Sequence, residues 1–196
     1  MAEPVVSASV SDEEILDRFA AIVAASLHVD PVQVTRDASL DALGAESIDL
    51  VEITIDVENA FSILMPERTI LDAATEVLGP GVVETDGRLT EVGRRLLLAR
   101  MPELDPQTIA VGTSVPEVKR IFLRVDVWVR LIRSLLEQSP RVCPDCGRPL
   151  VQGTPARVRC EACRREFDLP SGDDLARAWV RRWAAETGSA AETGSE

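Results

Sequence analysis

The chain's four cysteines all fall between residues 143 and 163, as two Cys-x-x-Cys pairs: Cys143-Pro-Asp-Cys146 and Cys160-Glu-Ala-Cys163. Thirteen residues separate the pairs. A two-residue gap lets the backbone turn tightly enough for both sulfurs of a pair to face one metal ion, and Gly147 supplies the backbone freedom such a turn needs. Two knuckles of this kind on facing hairpins complete a tetrahedral four-cysteine site. Four thiolates leave no open position for water, so the spacing predicts a structural Zn2+ and not a hydrolytic centre. So short a module buries little apolar core, and the metal must supply much of its folding energy.

This pattern resembles a zinc ribbon, with short β-prone stretches around the pairs and a module over 140–170. A rubredoxin-like iron centre uses the same four ligands, so an electron-transfer protein is an alternative at this point. Zinc ribbons often bind nucleic acid, and Arg148, Arg157, Arg159, Arg164 and Arg165 give this module a basic tint. Phe167 is its only aromatic residue, which leaves no platform for base stacking, and protein contact is the expected use.

Charge is divided unevenly along the chain. Residues 1–80 hold sixteen Asp/Glu against Arg18, Arg36 and Arg68, a net of −13, while the whole chain carries −12. The entire excess therefore sits in the first eighty residues. A surface that acidic repels nucleic acid and attracts basic protein surfaces. No apolar run approaches a membrane span, and the opening residues lack the basic-then-apolar order of a secretory signal, so a cytoplasmic location is expected.

Residues 1–10 read as a loose arm. Ser11 and Glu14 form a capping box, and Ile15, Phe19, Ile22, Val23 and Leu27 recur at helical spacing, which predicts a helix over 11–27. Residues 28–45 read as a long loop whose Val29, Val32, Val34, Leu40 and Leu43 pack down on a core. The loop holds His28, the chain's only histidine, read as an ordinary loop residue. A second helix is expected from Ser47 to about Phe61, with Ile48, Val51, Ile55 and Val57 on its buried side and Asp49, Glu52, Asp56 and Glu58 on its exposed side. Further helical stretches are expected at 67–78, Leu89–Met101 and beyond Pro116, with the last of these running to about Glu137. Leu175 to Ala185 reads as a terminal helix bearing Trp179 and Trp183. The repeat Ala-Glu-Thr-Gly-Ser at 185–189 and 191–195 offers no apolar anchor, so 186–196 is expected to be a disordered tail.

The most informative stretch is Leu43-Gly44-Ala45-Glu46-Ser47-Ile48-Asp49-Leu50-Val51-Glu52, continuing to Phe61 and Met65-Pro66-Glu67. It resembles the acyl carrier protein family: a Leu-Gly turn, then Asp-Ser-Leu-Asp-x-Val-Glu, then an apolar-acidic helix ending in Phe and a Pro-acid pair. Here Glu46 stands for the usual Asp and Ile48 for the usual Leu. The resemblance implies a mainly α fold, a four-helix bundle over 11–139. The bundle's last helix, about Arg124 to Glu137, would come after an insertion at about 79–114. The ribbon at 140–170 and a C-terminal helix at 171–185 would follow. Arg88, Arg94, Arg95 and Arg100 of the insertion read as a solvated helix face, with pairing to the acidic half as the alternative.

For Ser47 the resemblance implies covalent 4′-phosphopantetheine, added by a phosphopantetheinyl transferase, whose thiol carries acyl groups as thioesters. Glu46, Asp49, Glu52, Asp56 and Glu58 would dock on basic patches of acyl-handling enzymes, with Ile48 and Ile55 as apolar contacts. Fatty acid, polyketide and related lipid pathways all use such carriers. The serine itself is no catalyst, since no base is placed to activate it, and the expected protein is not an enzyme. Two plainer readings stand beside this one. Ser47 could be only a helix N-cap, and the chain could be an interaction or regulatory scaffold with a carrier-like fold.

Overall fold

The computed structural model describes residues 10–102, 104–154 and 156–188. The expected N-terminal arm, but for residue 10, and most of the expected tail lie outside these residues. In chain order the elements are α1 (Asp12–Leu27), α2 (Ser47–Phe61), α3 (Ile70–Leu78), β1 (Glu84–Thr85), β2 (Arg88–Leu89), α4 (Glu91–Arg100), α5 (Val115–Ile121), α6 (Val125–Gln138), β3 (Val151–Thr154), β4 (Arg157–Arg159), β5 (Glu166–Asp168) and α7 (Gly172–Thr187). The described fold is mainly helical, with two small antiparallel sheets. None of the described helices is long and apolar enough to cross a membrane. The chain divides into two compact units.

The first unit contains α1, α2, α6 and the cysteine module, in residues 1–65 and 123–171. Helix α1 starts where the capping box predicts. Ser11 N–H and Oγ donate to the Glu14 carboxylate at 2.7 and 2.9 Å, and the Glu14 N–H donates back to Ser11 Oγ at 3.2 Å. These bonds from Ser11, the backbone one foremost, hold the Glu14 carboxyl below its ordinary range. Helix α1 packs on both α2 and α6. Ile15, Phe19 and Val23 enter the core with Ile53, Val57 and Phe61 from α2 and Val125, Ile132 and Leu136 from α6, all fully buried. Phe19 stacks on Trp128 with ring centroids 5.3 Å apart.

The loop between α1 and α2 packs down as expected, through buried Val34 and Leu40, although Val32 is exposed. It is tied to the start of α6 by Leu40 N–H to the Leu123 carbonyl (2.9 Å) and Val125 N–H to the Ala38 carbonyl (3.0 Å). His28 is exposed, in a left-handed conformation that ends α1.

The buried side expected for α2 is corrected. Ile48, Val51 and Ile55 are 70%, 54% and 51% exposed, while Ile53, Val57 and Phe61 are fully buried. At about 100° per residue these two sets lie on opposite faces of the helix. Both satisfy helical periodicity, and α1 covers only one of them.

The second unit contains α3, α4, α5, α7 and the β1–β2 hairpin, in residues 66–122 and 172–196. The hairpin turns at Asp86 and Gly87, both at positive φ (51° and 70°), as a tight two-residue turn requires. Helix α7 packs on α3. Asp173 at its start accepts the backbone N–H groups of Glu67 (3.3 Å) and Arg68 (3.2 Å), and Arg177 bridges Glu76 and Asp174 at 3.3 and 2.6 Å. The solvated arginine face expected in this region is also corrected. Arg94 donates to the Ile109 and Pro106 carbonyls (2.8 and 3.1 Å), Arg88 to the Gly112 carbonyl (2.8 Å), and Arg100 lies over the Trp179 ring at 5.4 Å. Of the four, only Arg95 is left exposed without a partner among the described residues. Residues 104–114 make little regular structure of their own, so their carbonyls recruit the nearby guanidinium groups.

Candidate functional site

Ser47 is the first residue of α2, immediately behind the turn at Gly44, whose φ of 96° is in the region that favours glycine. The residue is exposed, and its hydroxyl has no hydrogen-bond partner among the described residues. The N-cap position belongs to Glu46, whose backbone N–H donates to Asp49 Oδ2 at 2.7 Å. This disposes of the plainest reading of Ser47, because the work of starting the helix is done by its neighbours. The hydroxyl points into solvent at the positive end of a helix dipole, where a phosphate diester would be favoured.

The acidic residues expected to dock partners divide into two kinds. Glu46, Glu52 and Asp56 are exposed, with Glu52 and Asp56 in no ion pair among the described residues. Asp49 and Glu58 are half-buried and have structural tasks: Asp49 closes the first turn, and Glu58 accepts the Met65 N–H at 2.8 Å. Ile48 and Ile55 lie on the outward stripe, and Val51 stands between them. An apolar strip edged by Glu52 and Asp56 therefore faces solvent along the helix that begins at Ser47.

The four cysteines converge. Their sulfurs all lie within 4.8 Å of one another, with Cys143 to Cys163 at 3.6 Å and Cys146 to Cys160 at 3.4 Å. Metal–sulfur bonds of about 2.3 Å in a tetrahedron put sulfurs about 3.8 Å apart, so the cluster fits a tetrahedrally bound ion. The two knuckles are near copies. Cys143 N–H donates to the Arg148 carbonyl (2.8 Å) and Gly147 N–H to the Cys143 carbonyl (2.9 Å); Cys160 and Arg164 repeat these bonds to Arg165 and Cys160 at 2.8 and 2.7 Å.

The thiols bear the marks of crowding. The Cys163 backbone N–H leads in bringing the Cys160 thiol down to about 7. At Cys146 the backbone N–H of Arg148 favours the thiolate, but the Cys160 sulfur and burial push the thiol up to about 12. Sulfurs this close do not all ionise unless a cation stands between them. Cys143, Leu150, Val158, Cys160 and Leu169 form the module's buried cluster, with Leu64 and Phe167 packed against it.

Two functional features went unread in the sequence. Arg164 takes the left-handed position (φ 61°) that Gly147 takes (φ 69°) in the first knuckle, and only its place after Cys163 could have signalled this. Arg141, one more base before the cysteines, is half-buried and donates from Nη1 to the carbonyls of Phe61 (3.3 Å) and Ser62 (3.4 Å) at the far end of α2. Burial lowers its pKa to about 10, which leaves it charged at neutral pH.

The family model described as "Phosphopantetheine attachment site" matches residues 17–75. The chain is similar to an acyl carrier protein of Guillardia theta, 38% identical over 68 residues, covering 34% of this chain and 79% of that one. It is as similar to acyl carrier proteins of Thermotoga maritima and Prochlorococcus marinus, each 38% identical over 66 residues, covering 33% of this chain and 82% of each relative. The chain belongs to the acyl carrier protein family. No solved structure matches it. The matched span ends inside α3, so α6, which packs on α1, lies beyond it.

Proposed function

We propose that Ser47 carries 4′-phosphopantetheine and that the protein holds acyl intermediates as thioesters on that arm. The observation that carries this reading is the exposed Ser47 hydroxyl, left free by the Glu46–Asp49 cap and lying inside the span that matches the attachment-site family. The arm's thiol supplies the acyl-bearing chemistry. The chain's own residues fix where the arm is attached and which face is offered to partners. A phosphopantetheinyl transferase would install the arm. Acyl-transferring or acyl-modifying enzymes with basic patches would then meet Glu46, Glu52 and Asp56 around the Ile48–Val51–Ile55 strip, with Asp49 and Glu58 adding to the acidic field. Fatty acid, polyketide or related lipid biosynthesis is the setting, in the cytoplasm, and the protein is a carrier and not an enzyme. Cys143, Cys146, Cys160 and Cys163 hold a structural Zn2+, and the ribbon helps to select or hold a partner enzyme.

The test is incubation of the unmodified full chain with coenzyme A and a broad-specificity phosphopantetheinyl transferase, read by intact mass. The expected result is the addition of one arm, abolished by Ser47→Ala. No addition, or addition that survives the substitution, rejects the assignment.

A further inference from the structure

Among the described residues, the cysteine module is fastened to the carboxyl end of α2 by several contacts. Helix α2 ends at Phe61, and Ser62 follows in a left-handed conformation (φ 52°). The last carbonyls of a helix lack intrahelical donors and carry the negative end of its dipole. Here Arg141 Nη1 supplies donor and charge to the carbonyls of Phe61 and Ser62, and Arg18 adds an N–H to the Ala60 carbonyl at 3.2 Å. Arg141 stands two residues before Cys143, so the segment that delivers it also enters the first knuckle. Ser62 Oγ donates to Gln152 Oε1 on β3 at 3.1 Å. Leu64 packs against the module's buried cluster and forms a bridge with Ser171. Three successive contacts, at 61–62, 62 and 64, thus join the end of α2 to the entry, first strand and exit of the module.

We propose that the metal-held ribbon is a brace for α2: occupancy of the four-cysteine site sets the order of residues 57–65, with Arg141 as the positioning residue that transmits it. The module's buried cluster has five residues, two of them metal ligands, so metal loss removes the scaffold that presents Arg141, Gln152 and Ser171. Ser47 lies about 22 Å from this end along the helix axis, so the brace does not touch it. The outward Ile48–Val51–Ile55 strip also remains exposed with the ribbon in place. The brace therefore stiffens the Ser47 helix from its opposite end and leaves both the serine and the outward strip open.

The proposal rests on the four-cysteine site holding a divalent metal, and the experiment separates the two ideas. Full-length protein is prepared under reducing conditions, its metal content is measured, and amide hydrogen exchange is followed before and after chelation with a thiol reductant present. Chelation should raise exchange in peptides spanning 57–65 by about tenfold or more, together with the ribbon, while α1 peptides keep their protection. Arg141→Ala should raise exchange at 57–65 with the metal retained, and Arg141→Lys should restore part of the protection through charge alone. Metal loss with 57–65 unchanged overturns the brace and leaves the metal site standing. An equal rise across α1 and α6 also overturns it, because the metal would then support the whole unit and not this end of α2. Protein that never binds metal overturns the metal-site reading, and the brace with it.

Discussion

Within one unit, the three-helix part and the cysteine module solve the problem of stability by different means. Helices α1, α2 and α6 bury Phe19, Phe61, Ile15, Ile53 and Ile132 completely. Burial of side chains of this size stabilises by about 1.5–3 kcal/mol each, set against the entropy of ordering the chain. The module has Leu150, Val158 and Leu169 clustered beside its two buried cysteines, and Val151 buried as well. Its three short strands, with Arg157 reaching Asp168 (2.8 Å) and Glu166 (3.3 Å) on an exposed face, contribute little more. One region is held by area removed from water; the other, on the function proposed above, is held by bonds from its four cysteines to a metal ion. A perturbation that ruins one should spare much of the other.

The largest expected effect is on the module. Cys160→Ser removes a fully buried cysteine of the proposed metal site, and structural zinc sites contribute apparent binding free energies of about 10–16 kcal/mol. Stoichiometric metal should be lost, with exchange protection lost through 143–169, while far-UV circular dichroism keeps most of its helical signal. Retained stoichiometric metal would show that three cysteines suffice.

The reciprocal perturbation is Phe19→Ala, which deletes a fully buried ring stacked on Trp128. It should cost about 3–5 kcal/mol in denaturant unfolding of the helical part, with metal content unchanged in the folded variant. Metal loss at the same denaturant midpoint would show that the two regions do not separate.

The smallest effect sharpens the comparison inside the module. A Cβ on Gly147 would meet no atom within 4 Å, so Gly147→Ala introduces only backbone strain at φ 69°, roughly 1 kcal/mol or about a fivefold loss of metal affinity. Arg164→Gly relieves the matching strain at φ 61°, by a smaller amount because glycine also loosens the unfolded chain. Competition with a chromophoric chelator should therefore move in opposite directions for the two variants.

Much of this architecture was legible because it is written in local chemistry. The Ser11–Glu14 box set the start of α1, the Leu-Gly turn set the start of α2, and the spacing of the cysteines set a four-ligand cluster. Less legible was anything that depended on a distant partner. Arg88, Arg94 and Arg100 read as a solvated face, yet they are engaged by loop carbonyls and a tryptophan ring. Arg141 gave no signal at all, since the carbonyls it meets are some eighty residues earlier in the chain.

Helix α2 shows where the division falls. Its sequence determined that it is a helix, that Ser47 stands at its first turn and that it carries two apolar stripes, because 3.6-residue periodicity and capping are properties of neighbours in the chain. Which stripe is buried was decided only by tertiary structure. Residues 53, 57 and 61 and residues 48, 51 and 55 are equally regular, and the choice depends on where α1 lies. That choice placed Ile48 and Ile55 on the solvent side with Ser47. The same is true of the far end of the helix, where a guanidinium from the entry to the ribbon supplies the charge and hydrogen bonds that the helix cannot supply for itself.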